Sequence, residues 1–191
     1  MKQYLFSRFS LFILLLAGIM TIAYSCKKDN GSTGDGSGYY MRFKINGTLV
    51  EYKGQVEGTF NKVTSLQHNT SLAGLKEALV ANKNNMTLLL ATEDDTQTGL
   101  SYTSYTTSAS GMQKAKLANI VYKDESGTDY LSWMEEFATG LPSGTETNAV
   151  IKVTEAASGY IKGNFSGVMY NADYSKKLNV TEGEFYARRF N

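Results

Sequence analysis

Residues 39–191 predict an all-β fold, an antiparallel β-sandwich or partly open barrel, and three observations carry that expectation. Most runs alternate apolar and polar residues with a period of two, the pattern of a half-buried strand. Clusters of Gly, Asn, Asp and Ser separate those runs, and the chain's single proline, Pro142, falls in one of the clusters. Segments with helical spacing are few, so two packed sheets, or one sheet closed on itself, are the architectures expected.

Ahead of this domain stands a different kind of sequence. Lys2 and Arg8 form a basic n-region, residues 11–19 an apolar h-region, and Ala23-Tyr24-Ser25-Cys26 has the form of a lipobox, with small Ser25 directly before the cysteine. The apolar stretch is short of the roughly 20 residues that a spanning helix needs, so a cleaved leader is expected rather than a membrane span. Residues 1–25 therefore read as a lipoprotein signal peptide. Cys26, the only cysteine, is the expected lipidation site, carrying a covalent diacylglyceryl and N-acyl group. Each buried methylene contributes about 0.8 kcal/mol and more than one chain anchors stably, which makes a membrane the first expected partner. With that thiol acylated no disulfide forms, and stability must come from a core that ~150 residues can supply. Residues 26–38, ending in GSTGDGSG, form the lipidated N-terminus and a flexible linker.

Within the domain, residues 39–45 put Met41, Phe43 and Ile45 on one side and Tyr40, Arg42 and Lys44 on the other. Asn46-Gly47 follows, the strongest short hairpin signal, because a type I′ turn needs positive φ at both central residues. The return strand covers 48–53. Further strands are expected at 55–63, 86–92, 117–123, 149–154, 160–170 and 177–188. Two segments carry a mixed signal. In 71–82, Leu72, Leu75 and Leu79 have helical spacing behind the capping types Asn69, Thr70 and Ser71, while 78–81 also reads as a strand end. In 130–138, Asp129 is placed to cap and Gly140 to terminate a short helix. In 159–170, Ile161, Phe165 and Met169 share a face with Gly163 and Gly167, glycines that leave room for a large group or mark bulges. The apolar alternation of the last strand changes phase at Glu182-Gly183, which predicts a bulge there.

The leader ending Ser25-Cys26-Lys27-Lys28-Asp29, the hairpin Phe43-Lys44-Ile45-Asn46-Gly47, and the C-terminal Gly163-Asn164-Phe165-Ser166-Gly167 with Val180-Thr181-Glu182-Gly183-Glu184-Phe185 together resemble small β-rich lipoproteins of Bacteroidota. Many of these are domains of unknown function. The resemblance covers the ends of the chain; 66–148 matches only in coarse strand order. It implies a β-sandwich anchored to the outer membrane and facing periplasm or exterior. Lys27-Lys28-Asp29 is similar to the charged surface-export signals of that phylum. No catalytic residues come with it.

The chemistry-bearing residues are sparse. Removal of Lys2 and Arg8 takes the net charge from +1 to −1, so nucleic acid is not an expected partner. His68 is the only histidine and sits in a polar stretch, which leaves a catalytic triad or His-based zinc site without its parts. The local carboxylate clusters are Glu93-Asp94-Asp95, Glu135-Glu136, and Glu182 with Glu184. A hydrolase would need two acids flanking one bond, whereas acidic turns and charged strand edges are the plainer roles. No metal, no catalytic residue and no cofactor beyond the lipid are expected. Aromatics remain: Tyr102, Tyr105, Tyr130 and Trp133 lie in the two stretches offered as a ligand surface, since Tyr and Trp bury large area at low entropic cost. Packing inside the sandwich is the competing role for the same rings.

The sequence thus leads to a lipid-anchored envelope protein, non-enzymatic, binding an unknown glycan, peptide or envelope protein. A structural part in an outer-membrane assembly is the alternative, and a carboxylate-dependent hydrolase a third. Cys26→Ala is expected to leave unprocessed precursor that takes up no labelled palmitate; undiminished labelling would contradict the anchor.

Overall fold

A computed structural model describes residues 38–53, 55–64, 67–77, 82–92, 95–102, 104–107, 113–133 and 141–190. By its contacts the chain divides into Met1–Thr33, wholly outside those residues, and Gly34–Asn191, which holds every strand named below.

The described residues contain twelve strands and no helix. β1 (Tyr40–Ile45) and β2 (Thr48–Lys53) form the expected hairpin, and Asn46 and Gly47 both hold positive φ, 49° and 85°, as the two-residue turn demands. β3 (Gln55–Thr64), β4 (Gln67–Leu75) and β5 (Asn85–Thr92) follow as an antiparallel meander. After the short β6 (Ser101–Tyr102) and β7 (Ser104–Thr107) come β8 (Gln113–Lys123) and β9 (Asp129–Leu131). β10 (Val150–Ala156), β11 (Tyr160–Tyr170) and β12 (Lys177–Phe190) complete the chain.

All twelve belong to one mixed sheet that returns to itself. One limb runs β2-β1-β12-β11-β10-β6, and the other runs β3-β4-β5-β8-β9 with β7 on β8. The limbs meet twice. Arg188, Arg189 and Phe190 of β12 pair in parallel with Glu57, Gly58 and Thr59 of β3, and Tyr170 of β11 pairs with Leu131 of β9. The expected all-β class is what forms, a sheet folded into a sandwich-like, partly open barrel.

The core lies between the limbs. Phe43 sits at its hub, its ring centroid 5.6 Å from Tyr52, 6.1 Å from Tyr122 and 5.7 Å from Phe165, the first two at the edge-to-face angles that ring quadrupoles favour. Leu72, Leu88, Ile120, Ile151 and Ile161 are fully buried around it.

The helix alternative for 71–82 does not form over 71–77; the remainder, 78–81, lies outside the described residues apart from Asn82 in a turn. Ser71 to Leu75 belong to β4, which is hydrogen-bonded to β3 on one edge and β5 on the other. Buried Leu72 and half-buried Leu75 have opposite parity in the strand, so their spacing of three is no helical stripe. The alternative for 130–138 fails where it is visible: Asp129 begins β9 and pairs with Lys123 at 2.8 Å instead of capping. Ser132 then prolongs the ladder, its N–H donating to Ile120 O while its Oγ accepts from Ile120 N–H. Residues 134–138 are outside the described set.

β11 and β12 are bound by two reciprocal pairs. Gly163 stands opposite Phe185, and Phe165 opposite Gly183. A Cβ on Gly163 would lie 2.8 Å from Phe185 Cε1 and closer still to Cζ and to Lys152 O; on Gly183 it would lie 2.7 Å from Phe165 Cγ. Each ring fills the space left by the glycine across from it. The expected bulge is present: the register passes from Phe165↔Gly183 to Gly167↔Val180, so Thr181 and Glu182 together face Ser166, and Glu182 has φ 51°.

Gly163→Ala and Gly183→Ala are each expected to cost about 2 kcal/mol or more through overpacking, read as a lower urea midpoint at unchanged m-value. Gly159→Ala, with nothing within 4 Å of its Cβ, should leave the midpoint in place. Equal effects in all three would contradict the packing described.

Candidate functional site

The aromatic residues singled out in the sequence do not share a surface. Tyr102 in β6 is 0 % exposed and Tyr130 in β9 is 3 % exposed, so both are core residues rather than ligand contacts. Tyr102 stands opposite Ile151 of β10, and its burial pushes the phenol pKa up. Tyr130 packs 6.2 Å from Tyr122. Tyr105 falls in β7 opposite Ala115, with its side chain outside the described residues. Trp133 is half-buried, its ring stacked on Tyr174 at 6.0 Å and 22°, and Tyr174 lies 5.9 Å from Tyr170. Tyr174 sits at φ 60° in the β11–β12 turn, which Asn171 and Asp173 tie down through Ser175 and Lys176. Cys26 lies outside the described residues.

A larger constellation escaped the sequence reading, on the outer face of the limb built around β11 and β12. The register aligns Lys53, Tyr40, Tyr186, Lys162 and Glu155 in one row, and Glu51, Arg42, Glu184, Asn164 and Lys152 in the next. Tyr186 is the centre of the first row, with Tyr39 at 4.7 Å, Tyr160 at 5.5 Å and Tyr40 at 6.3 Å, all edge-on. Lys162 Nζ lies 5.0 Å from the rings of both Tyr160 and Tyr186, and the Arg42 guanidinium lies 5.3 Å from that of Tyr40. Ring faces covered by cations leave edges and hydroxyls as the outward chemistry of this row.

In the second row Arg42 donates from Nε at 2.9 Å and Nη2 at 2.6 Å, both to Glu184 Oε2. Lys44 reaches Glu182 at 2.7 Å. Glu182 and Glu184 therefore share the outer face, since the alternation between them is unbroken beyond the bulge, and each is matched by a cation of β1. Beside them the bulge opens a groove of about 490 Å³, lined by Val150, Lys152, Asn164, Phe165, Ser166, Glu182, Gly183 and Glu184. It crosses β10, β11 and β12, which makes it a depression on a sheet face, with polar side chains set around a largely apolar lining.

The remaining expected candidates lie elsewhere. Asp95 is bound to Arg189 at 2.9 Å; Glu93, Asp94, Glu135 and Glu136 are outside the described residues. His68 is in β4 opposite Lys62 and Thr92. Among the described residues no group of three or more His, Cys, Asp or Glu is placed to hold a metal ion. Comparisons of the chain with protein-family models, curated proteins and solved structures gave no match.

One electrostatic consequence is open to titration. The hydrogen bond to Glu155, and then that residue's charge, hold the Tyr160 phenol above its ordinary value of 10.0, because ionising it would set a second anion beside the first. Glu155 is correspondingly lowered, first by its hydrogen bond from Lys162 and then by that from Tyr160. Ultraviolet titration, with Tyr160→Phe to identify the signal, should place the Tyr160 midpoint above pH 10, and Glu155→Gln should bring it down. A midpoint indifferent to Glu155→Gln would contradict the contact.

Proposed function

We propose that this chain is a lipid-anchored protein of the bacterial outer membrane whose β domain captures a ligand without transforming it, the outer face of the β10, β11 and β12 strands being the contact surface. The observation that carries the reading is the groove beside the β12 bulge. It gathers an amide, a hydroxyl and a lysine ammonium next to a half-exposed tyrosine row, a mixture suited to binding. Catalysis by Glu182 and Glu184 is the weaker use of the same residues. Hydrolysis needs two acids free to flank one bond, whereas each of these carboxylates is already held in an ion pair, Glu184 by Arg42 and Glu182 by Lys44.

The anchor completes the mechanism. Cys26 would hold the chain at a bilayer, and a 13-residue linker has a reach of about 20 Å. The resemblance to Bacteroidota lipoproteins supports this address. Strand addition into an envelope assembly has one observation in its favour: β2 ends the strand order, and Leu49 on it is 63 % exposed. Against it, Glu51 and Lys53 pair with each other at 2.9 Å on that same strand, the kind of charged dressing that blunts an edge.

The test uses the full chain, extracted in detergent, on panels of immobilised glycans and peptides. Retention by at least one ligand is expected, weakened about fivefold or more by Asn164→Ala with Ser166→Ala at an unchanged urea midpoint. Retention indifferent to those substitutions, or no retention, would contradict the reading.

A further inference from the structure

We propose that the groove binds an acidic oligosaccharide, with Lys152 as the ionic contact for a sugar carboxylate; this rests on the binding role given above to the same face. Three features of the groove define its ligand.

The first is the saturation of its backbone. β10 pairs with β6 and β11, β11 with β10 and β12, and β12 with β11 and β1. Beyond β6 the free side of β10 is closed by Val153 N–H donating to Leu100 O at 2.9 Å and Gly99 N–H donating to Val153 O at 2.8 Å. Among the described residues these three strands offer an extended peptide no main-chain ladder to join, so recognition falls to side chains.

The second is the kind of side chain available. Asn164 offers two donors and an acceptor, and Ser166 one donor and an acceptor, and neither side chain is hydrogen-bonded among the described residues. Glu184 meets Arg42 through Oε2 only, so Oε1 keeps its acceptor capacity. Donors and acceptors interleaved on one floor match neighbouring sugar hydroxyls, each of which both donates and accepts.

The third is charge. Glu184 is neutralised by Arg42, Glu182 by Lys44, and Lys162 of the adjoining row by Glu155. Exposed Lys152 faces them across Asn164 with no ion pair among the described residues, so it is the one charge of the groove lining left without a partner there. Two strand spacings, ~10 Å, separate Lys152 from Glu184. A small inorganic anion at Lys152 would leave the Glu184 end unused, whereas an oligosaccharide spans both.

The experiment compares oligomers of galacturonic acid with their methyl esters, which have the same ring but no charge, by titration calorimetry on the full chain in detergent. The acid should bind about fivefold more tightly than the ester at low salt, on the scale of one exposed ionic contact. The preference should vanish in Lys152→Gln, persist in Lys152→Arg, and shrink with added salt. Equal binding of acid and ester, or a preference that survives Lys152→Gln, would overturn the inference while leaving the capture role intact. Binding to neither sugar, or stronger binding of a glutamate-rich peptide, would also overturn it. The capture role itself is then judged by retention that depends on Asn164 and Ser166.

Discussion

Two phenylalanines and two glycines hold the fold in register. Phe185 of β12 covers Gly163 of β11, and Phe165 of β11 covers Gly183 of β12. A slip of β12 by one residue would turn Phe185 to solvent and replace Gly183 opposite Phe165 with a residue whose Cβ does not fit there. Truncating a buried Phe costs about 3–5 kcal/mol, so the pair specifies the ribbon as well as stabilising it. Phe165 also reaches the hub residue Phe43, linking the ribbon to the rest of the core. The two limbs meet on these same strands: β12 receives β1 and β3 along its other edge, and β11 receives β10 and β9.

The outer groove follows from that inner packing. Phe185, Gly183 and Val180 all face inward, which the alternation permits only with one extra residue between Gly183 and Val180. The extra residue is taken up at Thr181 and Glu182, the latter at positive φ, and the strand bends there. Outside, the bend opens the depression bordered by Lys152, Asn164 and Ser166. Glu182 and Glu184 then stand over Lys44 and Arg42, which lie on β1 because the Asn46-Gly47 turn fixes its register with β2 and β12.

Much of this was legible in the sequence, because the signals were local. Asn46-Gly47 announces its turn, long alternating runs announce β1, β2, β3, β11 and β12, and a phase change in the apolar pattern announces the bulge. β4 was obscured because Leu72, Leu75 and Leu79 imitate a helical stripe, and only its pairing on both edges decides for a strand. Tyr102 and Tyr130 sit in strands of two and three residues, too short for any period to reveal which side is inward. The tyrosine row and the groove were invisible for another reason. Tyr40, Tyr186, Lys162 and Glu155 come from four strands, and only the cross-strand register brings them together. Lys152, Asn164 and Ser166 are ordinary polar residues until the bulge gives them a shared concavity.

Native-state hydrogen exchange measures the central claim most directly, because it ranks the opening free energies of individual strands. If the interlocked phenylalanines and glycines are the framework on which the other strands depend, the inner amides of β11 and β12 exchange only through global unfolding, with the highest protection in the domain. Exchange from β11 and β12 by local opening, while β4 and β5 remain protected, would contradict the account.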